Sequence, residues 1–266
     1  MSRFELSQLW LFPVKSCAGF TLQKSHLSLF GLAGDRRWMV VDDSSNHFIS
    51  QRNFPEMCLI QASPTPQGVQ LNHLDGSQLH VTQPQGEVLR DVTVWEDQCQ
   101  AWDAGEAAAN WLSERLATHC RLVYFPQHEV RQVDLKYAQL GDKTAFSDGF
   151  PLLLISQASL DDLNSRLESP VSMARFRPNL VVDGCEPFAE DSWKILRIGD
   201  ITLRVVKPCS RCSIPNVDPT TGRRDKEPIS TLSQYRRNGN KIFFGQNVIA
   251  DKPGDLAVGM PVEVVE

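Results

Sequence analysis

The stretch ILRIGDITLRVVKPCSRCSIPNVDPTTG, residues 195–222, carries the first decision about this chain. Its first half reads as a β-hairpin whose centre, Gly199-Asp200, suits a two-residue turn. Its second half leaves the hairpin through two cysteines three apart, Cys209 and Cys212, and enters a run of turn-formers. Pro215 and the VDPTTG that follows argue against a helix there. The pair is therefore expected where a strand gives way to a loop, in a protein built mainly of strands.

The rest of the chain supports that class. Short segments of alternating or β-branched character occur at FELSQLWLF (4–12), HLSLF (26–30), RWMVVD (37–42), HFISQ (47–51), MCLIQA (57–62), GVQLNHL (68–74) and QLHVT (78–82). Turn-formers such as GLAGD, DDSSN and PTPQG separate them. Asp103 is placed to cap a helix over GEAAANWLSERL, with Ala109, Leu112 and Leu116 on one face. RLVYF (121–125) reads as a strand, and PQHEVRQVDLKYAQLGDKT as a long loop. After the strand LLLIS (152–156), Leu160, Leu163 and Leu167 predict a second helix, with Ser159 and Asp162 resembling a capping box. NLVVDG (179–184) and PVEVVE (261–266) add further strands. The expected fold is α+β, mainly β, with an N-terminal and a C-terminal β domain, residues 1–105 and 106–266, and a few helices.

Composition narrows the function. Of the 266 residues, 41% are hydrophobic and 22% charged, as in soluble globular proteins. The formal net charge of -5 argues against a general nucleic-acid binder, so no nucleic-acid polymer is expected as partner, and any anion site must come from a local cluster of cations. No run approaches the roughly 20 apolar residues of a membrane span, and the N-terminus does not read as a secretory signal. The seven cysteines are an odd number and mostly far apart, which fits reduced thiols and a cytoplasmic location. Cys58, Cys99, Cys120 and Cys185 read as small buried hydrophobes.

Three chemistries are open to Cys209 and Cys212. Structural zinc needs about four ligands, and the six histidines all lie well upstream of the pair. A thioredoxin-type redox pair normally opens a helix, which lowers its thiol pKa, and none is expected here. The third chemistry is a single thiolate ligating a soft metal carried by an anionic cofactor. Lys207 and Arg211 flank the sulfurs and favour both a thiolate and a bound anion, unless they belong to a solvated face. Other cations and donors recur at turns: Lys15 and Ser16 in FPVKS, Arg36 and Arg37 in GDRRW, Ser147 and Asp148 in FSDGFP, and Arg177 in FRPN. Such turns make a phosphate site only if they converge.

The order FPVKS, GDRRW, FSDGFPLLLIS, FRPNLVV, EDSW, IGD, KPCSRC, VDPTTG and FGQN resembles the MOSC family of molybdenum-cofactor proteins across essentially the whole chain. More narrowly, it resembles the branch that includes bacterial YcbX and the mitochondrial amidoxime-reducing component. The resemblance implies an N-terminal MOSC β-barrel domain packed on a MOSC domain. It implies molybdenum ligated by Cys212, the cysteine after the family's Ser-Arg, and therefore Cys212 as the catalytic residue. It further implies that Lys15, Ser16, Arg36, Ser147, Arg177, Ser210, Arg211 and Asn247 hold the molybdopterin and its phosphate. The implied activity is reduction of N-hydroxylated compounds such as amidoximes, hydroxylamines and N-hydroxylated purines. The alternative is a carrier that binds the cofactor or a persulfide sulfur and hands it on.

Two departures accompany the resemblance. These relatives usually carry two threonines where this chain has Pro215-Asn216, which draws attention to the metal's surroundings rather than its ligand. YcbX also has a plant-type ferredoxin domain, whereas no C-x4-C-x2-C spacing occurs in these residues. The expectation is that this chain holds no iron–sulfur cluster and takes electrons from a separate ferredoxin, flavodoxin or reductase.

Overall fold

The structure, a computed structural model, describes residues 4–266. Its larger unit is a closed ring of seven strands: β1 (Phe4–Leu11), β2 (Leu152–Ser156), β3 (Leu180–Asp183), β4 (Ile195–Ile198), β5 (Ile201–Ser210), β6 (Lys241–Ala250) and β7 (Pro261–Val264). Around the ring the order is β2-β3-β1-β7-β4-β5-β6, and β6 pairs with β2 to close it. The β4–β5 hairpin is the expected one: Ile198 opposes Ile201 and Gly199 takes the positive φ of 57° that its turn requires. Leu6, Leu9, Leu154, Leu180, Leu196, Leu203 and Val248 fill the ring.

Helix α1 spans Glu106–Leu116, α2 Gln157–Ser165 and α3 Ile229–Tyr235, and these are the α-helices among the described residues. β2, α2 and β3 form a crossover between parallel strands. Because α2 covers the outside of that pair, both strand faces are buried. Leu154 and Val182 point into the ring, while Ile155 and Val181 meet Leu160, Leu163 and α3's Leu232 outside. The unbroken apolar runs LLLI and LVV reflect that double burial.

The second unit has two sheets. One orders the strands Leu89–Val94, Asp97–Asp103, Cys120–Tyr124 and Trp38–Asp42, and the other Gln61–Thr65, Gly68–Asn72 and Gln78–Thr82. Ala108, Leu112 and Leu116 of α1 share a buried cluster with residues of both sheets. Strand pairing does not divide the chain after residue 105. Cys120–Tyr124 joins the sheet formed by earlier strands, and β1 belongs to the ring of later ones.

Several local expectations are corrected. Residues 47–51 form only isolated bridges, and residues 55–59 form a 3-10 turn begun by Pro55. The strand expected at 26–30 lies at Lys24–Ser28. Asp103 ends a strand, and its carboxylate is taken by Arg90 and Arg121; Gly105 occupies the cap position of α1. The cap of α2 is Ser156, whose Oγ accepts from the Ser159 amide, because Ser159 instead donates its hydroxyl to buried Glu190. Leu167 falls beyond that helix but packs on the same cluster. Among the described residues, no helix is long and apolar enough to cross a membrane.

Candidate functional site

Strand β5 brings the cysteines into position. Its register against β6 shifts twice, between Val205 and Lys207 and between Pro208 and Ser210. Pro208 has no N–H to give the ladder, so the strand bulges there and turns its last residues aside. Asn247 of β6 donates its amide to the Lys207 carbonyl (3.1 Å) and holds that irregular segment in place. Cys209 lies on the strand and Cys212 two residues beyond it, before a single 3-10 turn at Ile214–Asn216.

Opposite stand the turns that carry the other candidates. Ser16, Arg36 and Arg177 all adopt positive φ, at 67°, 45° and 56°. Non-glycine residues rarely accept that geometry, and three in one place mark a region held in its conformation by its surroundings. Those surroundings are visible. The Ser16 carbonyl accepts from Gln51 Nε2 (2.5 Å), and Arg36 donates to Asp35, Asn179 and the Arg177 carbonyl. Arg177 donates to the Cys17 carbonyl (2.6 Å), and both guanidiniums lie against the Phe12 ring.

Ser16, Arg36 and Arg177 face one cavity of about 500 Å³, of the size that takes a small-molecule ligand. It is lined by Lys15, Ser16, Arg36, Ser147, Arg177, Ser210, Arg211, Cys212 and Asn247. Thus the structure gathers into a single space all nine positions that the family resemblance implied. Arg37 is the exception among the neighbouring cations: it turns away and donates to the Phe125 carbonyl and Gln127. The zinc alternative finds no support in geometry, since no three His, Cys, Asp or Glu side chains gather as metal ligands among the described residues. Both cysteines are free thiols.

The cavity is strongly cationic. Lys15, Arg36, Arg52, Arg177, Lys207 and Arg211 face Asp148, the only carboxylate in its lining among the described residues. Lys15, 5% exposed, donates to the Phe146 carbonyl (2.8 Å) and to Asp148 (2.5 Å). Burial pushes the Lys15 ammonium down to about 8, although Asp148 pulls the other way. Burial likewise pushes Arg177 down to about 9, reinforced by Arg36. Desolvation works against the Asp148 carboxylate too, but Lys15, Arg52 and Trp95 together outweigh it and hold the group well below the usual carboxylate range. Its side chain is 61% exposed, so it stands at the cavity mouth.

Arg52, Trp95, Asn179 and Lys207 also line the cavity, as does Cys209. Arg52 donates to Cys212 Sγ at 3.3 Å and stacks 4.4 Å over the Trp95 ring, whose Nε1 donates to Asp148 at 3.2 Å. Arg211 donates to Cys209 Sγ at 3.2 Å and to the Phe176 carbonyl at 2.7 Å. Each thiol therefore has a guanidinium of its own. Lys207 was legible as a flanking cation, whereas Arg52 lies in a stretch with no motif to single it out.

Eight buried side-chain polar atoms lack a partner among the described residues, and four belong to this lining: Arg52 Nη1, Ser147 Oγ, Arg177 Nη2 and Arg211 Nε. Buried donors left unpaired in a folded chain are costly. Their concentration beside an excess of positive charge is the signature of a site shaped for an anion with several acceptor oxygens. A thiol at one end and orphaned donors around it fit a phosphate-bearing, sulfur-ligated group.

Known proteins resemble this chain in sequence. Residues 3–119 match the MOSC N-terminal beta barrel domain, and residues 141–263 match the MOSC domain. The chain is 37% identical to the mitochondrial amidoxime-reducing component 1 of Mus musculus, over 97% of this chain and 81% of that protein. It is 36% identical to the Homo sapiens counterpart, over 97% and 82%. This chain belongs to the MOSC family. A further relative, the molybdenum cofactor sulfurase of Oryza sativa subsp. japonica, is 33% identical over 92% of this MOSC chain and 32% of its own length.

The Pro215-Asn216 step has a structural role in this MOSC protein. The Pro215 carbonyl accepts from Arg175 (3.2 Å), and Asn216 Oδ1 accepts from the Ile229 amide (3.1 Å) at the start of α3. VDPTTG folds around Asp218, which accepts from the Thr220 amide and hydroxyl and from the Thr221 amide, and pairs with Arg175. Neither Asn216 nor Asp218 lines the cationic cavity.

Proposed function

We propose that this MOSC protein is a molybdenum-cofactor reductase of N-hydroxylated compounds, with Cys212 as the metal's protein ligand. The observation that carries the reading is the convergence of Cys212, six cations and four orphaned donors on one cavity. The relatives named for amidoxime reduction supply the reaction class. The overall change is R–NH–OH + 2H⁺ + 2e⁻ → R–NH₂ + H₂O, with electrons from a separate donor protein such as a ferredoxin, flavodoxin or reductase. When bound, the cofactor supplies the two-electron exchange and a soft metal centre suited to sulfur ligation.

The chain's own residues do the rest. Cys212 offers the sulfur, and Arg52 directs a donor at it. Lys15, Arg177 and Arg211 offset the charge of a phosphate, with Ser16, Ser147 and Ser210 as hydroxyl donors on the same lining. Arg36 spends its donors on Asp35, Asn179 and the Arg177 carbonyl, so it braces Arg177 while adding charge. Asn247 steadies the segment that presents the cysteines. Asp148, kept ionised at the mouth, fixes Lys15 and Trp95.

The test is elemental and pterin analysis of protein made in a host that synthesises the cofactor. Wild-type protein is expected to carry molybdenum and pterin and to reduce a hydroxylamine with a chemical reductant. Cys212→Ser should lose at least about 100-fold of that activity, as loss of a ligand to a reacting metal does, while Cys209→Ser keeps most of it. Protein without molybdenum or pterin would sink the reading. The sulfurase relative favours a second reading, a carrier of cofactor or persulfide sulfur; sulfur transfer without hydroxylamine turnover would select it.

A further inference from the structure

Arg52 differs from an arginine that merely ties the fold together. Arg131, also at the edge of this region, has a partner for each of its three nitrogens. Its Nε donates to Asp97, Nη1 to the Ala145 and Ser147 carbonyls, and Nη2 to the Asp148 carbonyl. Arg52 instead keeps Nη1 buried and unpartnered and gives Nη2 to a thiol, Cys212 Sγ at 3.3 Å, with Asp148 farther off at 3.9 Å. Its position is nonetheless over-determined. The Arg52 carbonyl accepts from Arg224, as does the Gln51 carbonyl (2.7 Å). The Gln51 side chain reaches Ser16, and the Arg52 guanidinium is backed by Trp95 at 4.4 Å. Trp95 is itself fixed, by Asp148 at its Nε1 and by Phe48 at 5.0 Å, in a turn where it adopts φ 59°. A side chain clamped at its backbone and stacked on one face, yet with a donor unspent, is organised toward something outside the fold.

We propose that Arg52 is a positioning residue that holds the Cys212 sulfur by a charge-assisted hydrogen bond and thereby sets the electron density of the metal–sulfur bond. Hydrogen bonds to a ligating sulfur draw charge from it and raise the reduction potential of the metal it binds. The unspent Nη1 lies on the same guanidinium, buried and without a partner. This inference rests on the reading of Cys212 as the molybdenum ligand.

The experiment uses the holoprotein with Arg52→Gln, Arg52→Lys and Trp95→Leu variants. It measures molybdenum content, the midpoint potential of the metal by redox titration followed by electron paramagnetic resonance, and steady-state kinetics. Arg52→Gln should retain molybdenum, move the midpoint to a more negative potential and lose about 10- to 100-fold in kcat with a smaller change in KM. Arg52→Lys, which keeps the charge but not the fork geometry, should recover part of both effects. Trp95→Leu, at a residue 44% exposed, should shift the potential in the same direction by less. Unchanged or more positive potentials in metal-loaded variants would overturn the proposal while leaving the cofactor reading intact. Loss of molybdenum from the Lys and Gln variants alike would overturn it in favour of a cofactor-holding role. Wild-type protein without molybdenum would instead remove the reading on which it rests.

Discussion

Lys15 and Asp148 face each other across very different amounts of water, and the contrast makes the site sensitive to pH. The ammonium is enclosed, so burial has brought its pKa from 10.5 to about 8, while the carboxylate stands at the mouth. Between pH 7 and 9 the ammonium therefore gives up its proton in the anion-free protein. A bound anion favours the charged form, so anion binding takes up a proton there, and affinity falls as pH rises. The stability of the anion-free protein moves the opposite way. The unfolded chain keeps this proton until about pH 10.5, so it binds more protons than the native state between about 8 and 10.5, and Lys15's contribution makes stability rise with pH. Calorimetric titration of inorganic phosphate should record a decline of at most about tenfold per pH unit between pH 7 and 9. Lys15→Arg should move the decline to higher pH, because a guanidinium holds its proton more strongly than an ammonium. A wild-type affinity flat across that range would show that Lys15 does not meet the anion.

At the scale of elements, the presentation of the cysteines depends on how β6 lies between β2 and β5. Gly245 of β6 has φ 80°, and a Cβ there would stand 2.6 Å from Ile155 Cγ1 and 2.8 Å from the Leu154 carbonyl oxygen. Gly245→Ala combines left-handed strain with a collision against β2 backbone and is expected to cost about 2–4 kcal/mol. Urea unfolding should report that loss as a lower midpoint with an unchanged slope; a loss under about 0.5 kcal/mol would mean that the ring adjusts freely. Elements were legible where one physical signal dominated. The β4–β5 hairpin has its glycine turn, and the doubly buried β2 and β3 have unbroken apolar runs. The strands Leu89–Val94 and Asp97–Asp103 escaped notice because exposed Asp91, Gln98 and Gln100, and the charged Arg90 and Asp97 on the face of Val92, Val94, Cys99 and Ala101, dilute the apolar pattern. Conversely, HFISQ had strand composition but found no continuous partner, and it leads into the turn that supplies Arg52. Motif order brought nine residues of the site into view together. Arg52 and Trp95 had no comparable signal, since their role comes from stacking and from a cysteine 160 positions away.

At the scale of the whole molecule, the site exists because the two units share chain segments. β1 lies between β3 and β7 in the ring, while the residues just after it, Lys15 and Ser16, enter the cavity and lead into the other unit. Lys24–Ser28 likewise pairs with Gly254–Ala257, near the other end of the chain. A fragment of residues 106–266 would lack β1, leaving β3 and β7 with open edges and the ring without Leu6 and Leu9. Truncating a single buried leucine to alanine costs about 2–5 kcal/mol, and a domain is stable by only about 5–15 kcal/mol. Loss of a whole central strand should therefore abolish the native state, and the open edges should drive aggregation. The same fragment would also lack Lys15, Ser16, Arg36 and Arg52, four of the donors around the cavity. Expressed alone, it should give no cooperative thermal transition and bind no molybdenum. Co-expression with residues 1–105 should restore neither efficiently, because α1 and Cys120–Tyr124, which complete the other unit's core and sheet, would remain on the wrong piece. A soluble 106–266 fragment that unfolds cooperatively would mean that the ring closes without β1, and that the units are independent after all.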